Sequence, residues 1–461
     1  MSDSGTAFYF WGFLFVYGGA MYMVSPRAIT LDAFFRGTDA QGRPVTEWWL
    51  TASVFISWIF AKSVTNAANL GSSFGIVGGL AYAAYWLSIP VAGLVIYWIR
   101  TRENAAGLVP FLVQKYGRPA ALAFSLAILI RLYNEIWSNT AVVGGYFGSP
   151  GESSYYLGAL LFTAITVIYS AKGGLRSAII TDGLQTFIFL FFLGTVLFTI
   201  IPAKGLTTLA ETGSFELSAG LDLLLVAMLQ VFSYPFHDPV LTDRGFLNQE
   251  KSMLRSFVVA GALGFICILA FSLVGVYAKL EGIQVASNAP VAVGRSLGMA
   301  TLVFMSLIMI SSAGSTLDSA FASFSKNLAL DLPMAIGALF KTPTVNMGII
   351  VMIGLAVLGN IPMLAGTDIL KATTISGTMV MGLAPIFLLH GLVQHSPWSF
   401  HLAFWPGLLL GVLLAAGFIP DSWAMGEGKY GLLLGTNVYG LAICTLGYLI
   451  PVVLPQPFNT R

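Results

Sequence analysis

Runs of about twenty apolar residues, parted by short polar or Gly/Pro-rich breaks, recur along the whole of this 461-residue chain. An α-helix of that length crosses the roughly 30 Å hydrocarbon core of a bilayer, whereas strands of a membrane barrel alternate in polarity over about ten residues. With 57% hydrophobic and 9% charged residues, the pattern predicts an all-α polytopic membrane protein whose first partner is the lipid bilayer. A net charge of +2, with basic residues scattered through short loops, excludes nucleic acid as a partner. Cys267 and Cys444 each lie inside an apolar run and read as two buried thiols, neither a disulfide nor a metal pair. The run Ala7 to Val24 follows no basic segment and no small-residue cleavage site, so it is expected to be a retained span and not a signal peptide.

Apolar runs give thirteen expected spans, near 7–24, 46–70, 72–98, 119–147, 155–171, 178–202, 219–241, 254–279, 296–325, 345–363, 367–390, 401–419 and 430–454. An odd number puts the termini on opposite sides. With the N-terminus outside, fifteen of the 22 Lys and Arg fall in cytoplasmic loops, four (Lys204, Lys279, Arg295, Lys429) outside, and three (Lys62, Arg131, Lys371) within spans. Cytoplasmic loops carry the basic excess, so N-outside, C-inside orientation in the cell membrane is expected. No loop is long enough for a soluble domain, and residues 1–461 read as one integral membrane domain.

Two spans look interrupted. The second carries Lys62, Thr65, Asn66, Asn69 and Gly71 along its outer half; the seventh carries Pro235, His237, Asp238 and Pro239 inside an apolar run. Paired interruptions at corresponding positions of two halves point to a transporter built from inverted repeats, with its binding site at the midplane beside unwound backbone. The repeats would be 46–202 and 219–390, with 7–24 an extra N-terminal helix and 401–454 two C-terminal helices. The other reading is that the prolines only kink a helix and the asparagines bond between helices.

Asp182 enters the sixth span as a lone carboxylate, which at membrane depth costs about 2.5–3.5 kcal/mol and calls for a partner, an ion or water. Span 9 carries Ser312, Ser315, Ser319 and Ser323 on one helical face, with Ser311 and Asp318 beside them. Arg131 and Glu135, four apart on span 4, can pair with each other; alternatively Arg131 clamps a carboxylate bidentately. His237 and Asp238 can bind an amine or hydroxyl, titrate in a proton-linked step, or satisfy each other. Lys371 is expected to snorkel to the interface.

The segment from Tyr169 to Gln185, with Gly173-Gly174-Leu175 and then Thr181-Asp182, resembles the signature of the sodium:solute symporters, inverted-repeat secondary transporters of the LeuT type. Asp32-Ala33-Phe34-Phe35-Arg36-Gly37 looks like that family's entry to the core, and Arg244 sits where the family has a basic residue after its broken seventh span. The resemblance covers about residues 5–390. It implies a five-plus-five core, no enzymatic activity, and sodium-coupled symport of a small organic solute by alternating access.

It also implies a sodium ion held by the carbonyls of Ile59, Lys62 and Ile308 and by the hydroxyls of Ser311 and Ser312, with Asp182 nearby. Oxygen ligands of this kind suit a hard cation. A second sodium on Asp182 would lack one hydroxyl, because Gly314-Ser315 stands where some members have two serines. Lys62 departs from the family pattern, and three arrangements are open to its ammonium: taking the cation's place, pairing with Asp182, or pointing to solvent. Asn66, Asn69, Tyr85, Arg131, His237 and Asp238 are the candidate solute contacts. An amino acid or carboxylate is the preferred solute, with urea or another small amide next. The alternatives are a proton-coupled or ion-independent transporter with Lys62 in place of the cation and, from another class, a transporter-like sensor. No obligate protein partner is evident in the sequence.

Overall fold

The computed structural model describes residues 4–337, 343–365 and 376–453. Every regular element among these residues is helical, and eight helices are long and apolar enough to cross a membrane. Lys371 and the first part of the span expected over 367–390 lie outside the described residues.

The N-terminal run forms α1 (Ser4–Val24), followed by the short α2 (Leu31–Arg36). Thr30 caps α2, its Oγ1 accepting from the Ala33 amide at 3.2 Å, and Gly37 closes it at φ 67°. The segment expected as the second span is two helices, α3 (Glu47–Ser57) and α4 (Ala61–Phe74). Then come α5 (Ile76–Arg102), α6 (Arg118–Phe147) and the 52-residue α7 (Ser153–Lys204). The segment expected as the seventh span is α8 (Leu221–Gln230), a 3-10 turn over Tyr234–His237 and α9 (Pro239–Thr242). The long α10 (Glu250–Glu281) and α11 (Met299–Lys326) follow, and α12 (Pro397–Ala415) and α13 (Gly431–Val453) pack against each other.

The spans expected at 155–171 and 178–202 are two arms of α7, joined at Gly174 with φ 56° and ψ −137°. That backbone favours glycine. A Cβ at Gly174 would stand 2.3 Å from the carbonyl oxygen of Phe34, and one at Gly173 equally close to that of Pro26. The Gly-Gly pair therefore bends the helix where the 26–37 segment crosses it, with the buried Phe34 and Phe35 rings 5.0 Å apart in edge contact.

The break in the second span is not where the polar residues suggested. It lies at Trp58–Phe60, and Lys62 to Gly71 form regular helix. The Ile59 amide goes back to Ile56 at 3.0 Å, while those of Ser63 and Val64 both go to Phe60, at 2.9 and 3.0 Å. The Lys62 amide is met by the side-chain oxygen of Asn139 at 3.4 Å. No glycine or proline is needed, because a neighbouring helix supplies the acceptor that the missing turn would have provided. Gly71 is a packing site: a Cβ there would stand 2.3 Å from the Ser272 carbonyl of α10, and one at Gly275 would be 1.6 Å from that of Ala68. Small residues let helices approach this closely. In the seventh span the interruption falls between Val231 and Asp238, overlapping the Pro235–Pro239 segment read from the sequence.

Candidate functional site

Four buried charges alternate in sign across the two broken spans and α6. Lys62 Nζ lies 2.5 Å from Glu135 Oε1 and 3.2 Å from Ser138 Oγ. Arg131 reaches the same Glu135 oxygen through Nη1 and places Nη2 3.0 Å from Asp238 Oδ2. Trp58 Nε1 donates to that Asp238 oxygen at 3.0 Å, and the other oxygen caps α9 by accepting from the Val240 amide at 3.1 Å. Asn139 Nδ2 donates to Glu135 Oε2 at 3.0 Å. None of the four charged residues is more than 4% exposed, so each charge depends on its partner, and deleting one side of such a pair typically costs about 3–5 kcal/mol. The Lys62 ammonium and the Arg131 guanidinium also lie 5.2 and 5.5 Å from the ring centre of Phe60, within cation–π reach.

A second buried cluster surrounds Asp182. Its Oδ2 accepts from Arg244 Nη2 at 2.9 Å and from Ser53 Oγ at 2.5 Å, and its Oδ1 accepts from Ser315 Oγ at 2.5 Å. Arg244 also donates to Ser53 at 2.7 Å, to Ser319 at 2.6 Å and to the carbonyl of Val240. Asp318 takes a hydrogen bond from Thr181 at 2.8 Å and one from Ser319 at 3.2 Å. The hydroxyl stripe of α11 thus faces α7 and Arg244. The partner that a lone carboxylate at Asp182 demanded is a guanidinium.

This geometry decides two of the arrangements left open for Lys62. It does not pair with Asp182, and at 1% exposure it does not point to solvent. Its ammonium lies against α6, while Ser311 and Ser312 lie on α11.

Around the proposed cation ligands, the turn at Trp58–Phe60 leaves the Ile59 carbonyl outside both helical ladders. Thr316 Oγ1 donates to the Ser57 carbonyl at 3.4 Å, and Thr65 Oγ1 lies 4.0 Å from Met309 Sδ. These two contacts join both ends of the Ser57–Thr65 stretch to α11, the helix that carries Ser311 and Ser312. Both serines are fully buried; Ser311 donates to Leu307 at 2.7 Å and Ser312 to Ile308 at 3.0 Å, which leaves their oxygen lone pairs available. The Ser57 hydroxyl is buried and has no partner among the described residues. A free carbonyl with two or three hydroxyls is a donor set that fits a hard monovalent cation.

The candidate solute residues separate into groups. Asn66 and Asn69 line a cavity of about 860 Å³, whose lining also includes Lys62, Thr65 and Tyr430. Asn66 Nδ2 donates to Tyr82 Oη at 3.1 Å, whereas Asn69 ties down the 287–289 segment, donating to the Ser287 carbonyl at 2.7 Å and accepting from the Ala289 amide at 2.9 Å. Tyr85 lines a small aromatic cavity of about 10 Å³ with Trp58, Phe60, Ser63, Tyr82, Trp86 and Tyr234, and donates to Gln230 at 2.8 Å. Arg131 and Asp238 engage each other. His237 does not bond to Asp238: Nδ1 is 2.5 Å from the Tyr234 carbonyl, and Nε2 is buried without a partner among the described residues.

Several members of these clusters escaped the sequence reading. Ser138 and Asn139 continue the polar stripe begun by Arg131 and Glu135 at helical spacing, a signal present in the sequence. Ser53 and Trp58 carried none, being one small and one aromatic residue in an apolar run.

A comparison with protein-family models finds no match. Among curated proteins, the chain is 24% identical over 195 residues to the sodium/pantothenate symporter of Escherichia coli and 29% identical over 184 residues to sodium/glucose cotransporter 1 of Mus musculus. Those segments cover 41% and 37% of this chain and 40% and 27% of the relatives, so the chain matches less than half of either relative's length. Among solved structures, a Na+-coupled sialic acid symporter in a substrate-bound outward-open state superposes with a TM-score of 0.73 at 16% identity, covering 97% of this chain and 98% of that one. The nucleobase-cation-symport-1 transporter Mhp1 superposes at 0.54 and 13% identity, covering 92% and 94%. The resemblance to the sodium:solute symporters read from the signature segment thus recurs in sequence relatives that are sodium symporters and in a fold shared with a sodium-coupled one.

Proposed function

We propose that the chain is a sodium-coupled symporter of a small polar organic solute, with an amino acid or carboxylate preferred, working by alternating access. In this reading it has thirteen spans, an outside N-terminus and a cytoplasmic C-terminus, and 46–202 and 219–390 are the inverted repeats. The observation that supports the reading is the Trp58–Phe60 break, which leaves the Ile59 carbonyl outside both helical ladders, with Thr316 of the serine-bearing α11 donating to the Ser57 carbonyl at the end of α3. A sodium ion bridging that break and α11 would hold the two repeats in the outward-open arrangement and so favour solute entry from outside. Solute and sodium must then raise each other's affinity by one common factor.

The test is the thermal stability of the purified protein in sodium chloride against choline chloride, followed by uptake into proteoliposomes of a solute panel spanning pantothenate, sialic acid, proline, urea and glucose. Sodium should raise the melting temperature, since an ion that binds only the folded state stabilises it. Indifference to sodium, with uptake driven by a pH gradient, would favour the second reading, proton coupling. The buried row of charges Lys62, Glu135, Arg131 and Asp238, whose first member follows the same break, supports that alternative.

A further inference from the structure

The 860 Å³ cavity has an unbalanced lining. It includes three cationic residues, Lys62, Arg295 and Lys429, and no acidic one among the described residues. Arg295 lies on the helix Ala289–Leu297 and Lys429 on the segment before α13; both are exposed and stand at the mouth. Lys62 is buried at the floor, next to Thr65 and Asn66.

The charge row fixes which sign the floor presents. Its order is Lys62, Glu135, Arg131, Asp238. Of these four only Lys62 lines the cavity, while the anionic end at Asp238 is turned toward Trp58 and the α9 amide. Glu135 is shared between two cations, because Arg131 contacts the same oxygen that Lys62 does. An ammonium has three donors; two reach Glu135 and Ser138, and the third has no partner among the described residues. Asn66, one turn further along α4, adds an amide on the same wall.

We propose that the floor of this vestibule is an anion site, with the Lys62 ammonium as the anchor for the carboxylate of a net-anionic solute and with Arg295 and Lys429 drawing that anion in. The assignment deepens the transport reading and rests on it: it selects an anionic carboxylate over a zwitterionic amino acid, a sugar or an amide. A cleft lined by one sign of charge raises the local concentration of the opposite ion and its rate of arrival.

The test uses charge probes and needs no knowledge of the solute. Ala141 lines the same cavity and lies three residues beyond Ser138, on that face of α6. In the full-length chain with the buried Cys267 and Cys444 changed to Ala, Ala141→Cys is labelled with 2-sulfonatoethyl methanethiosulfonate or with its trimethylammonium counterpart. Each rate is divided by that of the reagent with free 2-mercaptoethanol. The anionic reagent should be favoured by roughly tenfold. Lys62→Arg should keep the preference and Lys62→Gln should remove most of it. Should Lys62→Gln fail to fold, the paired change Lys62→Gln with Glu135→Gln removes both charges together and should give the same loss. Equal rates, a preference for the cationic reagent, or a preference untouched by loss of Lys62 would each overturn the assignment. Labelling needs neither sodium nor transport, so its failure and a failed sodium test are separate results.

Discussion

Arg244 Nη2 lies 2.9 Å from Asp182 Oδ2 with both side chains fully buried, so a cation supplied by the segment after the broken seventh span already occupies the carboxylate that opens the second arm of α7. Arg244→Gln removes that cation and leaves Asp182 and Asp318 as buried neighbouring acids. A loss of about 3–5 kcal/mol is expected, the usual cost of stranding one side of a buried ion pair. Asp182→Asn in the same chain should recover part of it. Denaturation of the purified protein with and without the second change measures both, and an additive pair of losses would show that the two residues are not coupled.

Ser312→Ala should raise the sodium concentration for half-maximal uptake about tenfold, corresponding to about 1.4 kcal/mol for one lost oxygen ligand. Ser323→Ala, at the far end of the hydroxyl stripe, should leave it unchanged. Uptake measured against sodium concentration at fixed ionic strength gives the comparison. Equal shifts in the two variants would place the cation elsewhere.

Lys62 and Glu135 should behave as one unit in stability. Each single neutralisation, Lys62→Met or Glu135→Gln, strands a partner and is expected to cost about 3–5 kcal/mol, whereas the two together should cost distinctly less than their sum. Arg131 remains in the double variant and keeps Asp238 paired. Melting temperatures of the four proteins provide the cycle.

Gly174→Ala should be severely destabilising. The φ of 56° with ψ of −137° strains any side chain by about 1–3 kcal/mol, and the new methyl group would collide with a backbone carbonyl that cannot swing aside. Gly194→Ala, in the second arm of the same helix with open space around it, should be neutral or slightly stabilising. Expression level and melting temperature of the two variants separate conformational need from composition.

What could be read in the sequence followed from features with one physical meaning. Twenty-residue apolar runs forced helices, and Gly173-Gly174 marked the turn between two of the expected runs. Pro235 and Pro239 forced the seventh-span interruption. The first break was misplaced because nothing in its own composition encodes it: Trp58, Ile59 and Phe60 are apolar, and Asn139, 77 residues away, supplies the acceptor for the Lys62 amide. Polar residues drew attention to the outer half of that span, but Thr65 and Asn66 sit comfortably in regular helix. The partners of Lys62 and Asp182 were likewise hidden, since one sequence shows which side chains need a counter-charge and not which of several distant ones supplies it. Asp182 had Lys62, Arg131 and Arg244 to choose from, and only tertiary packing allots them.

The contact between α4 and α10 sets how this molecule can change shape. At Gly71 and Gly275 the two backbones lie so close that not even a methyl group fits between them, which leaves no layer of side chains to shear. Two helices meshed in this way would travel as a single lever, so α4 and α10 would swing together. Any flexing would then fall where backbone already departs from helix, and Trp58–Phe60 and Val231–Asp238 are two such stretches that could serve as pivots.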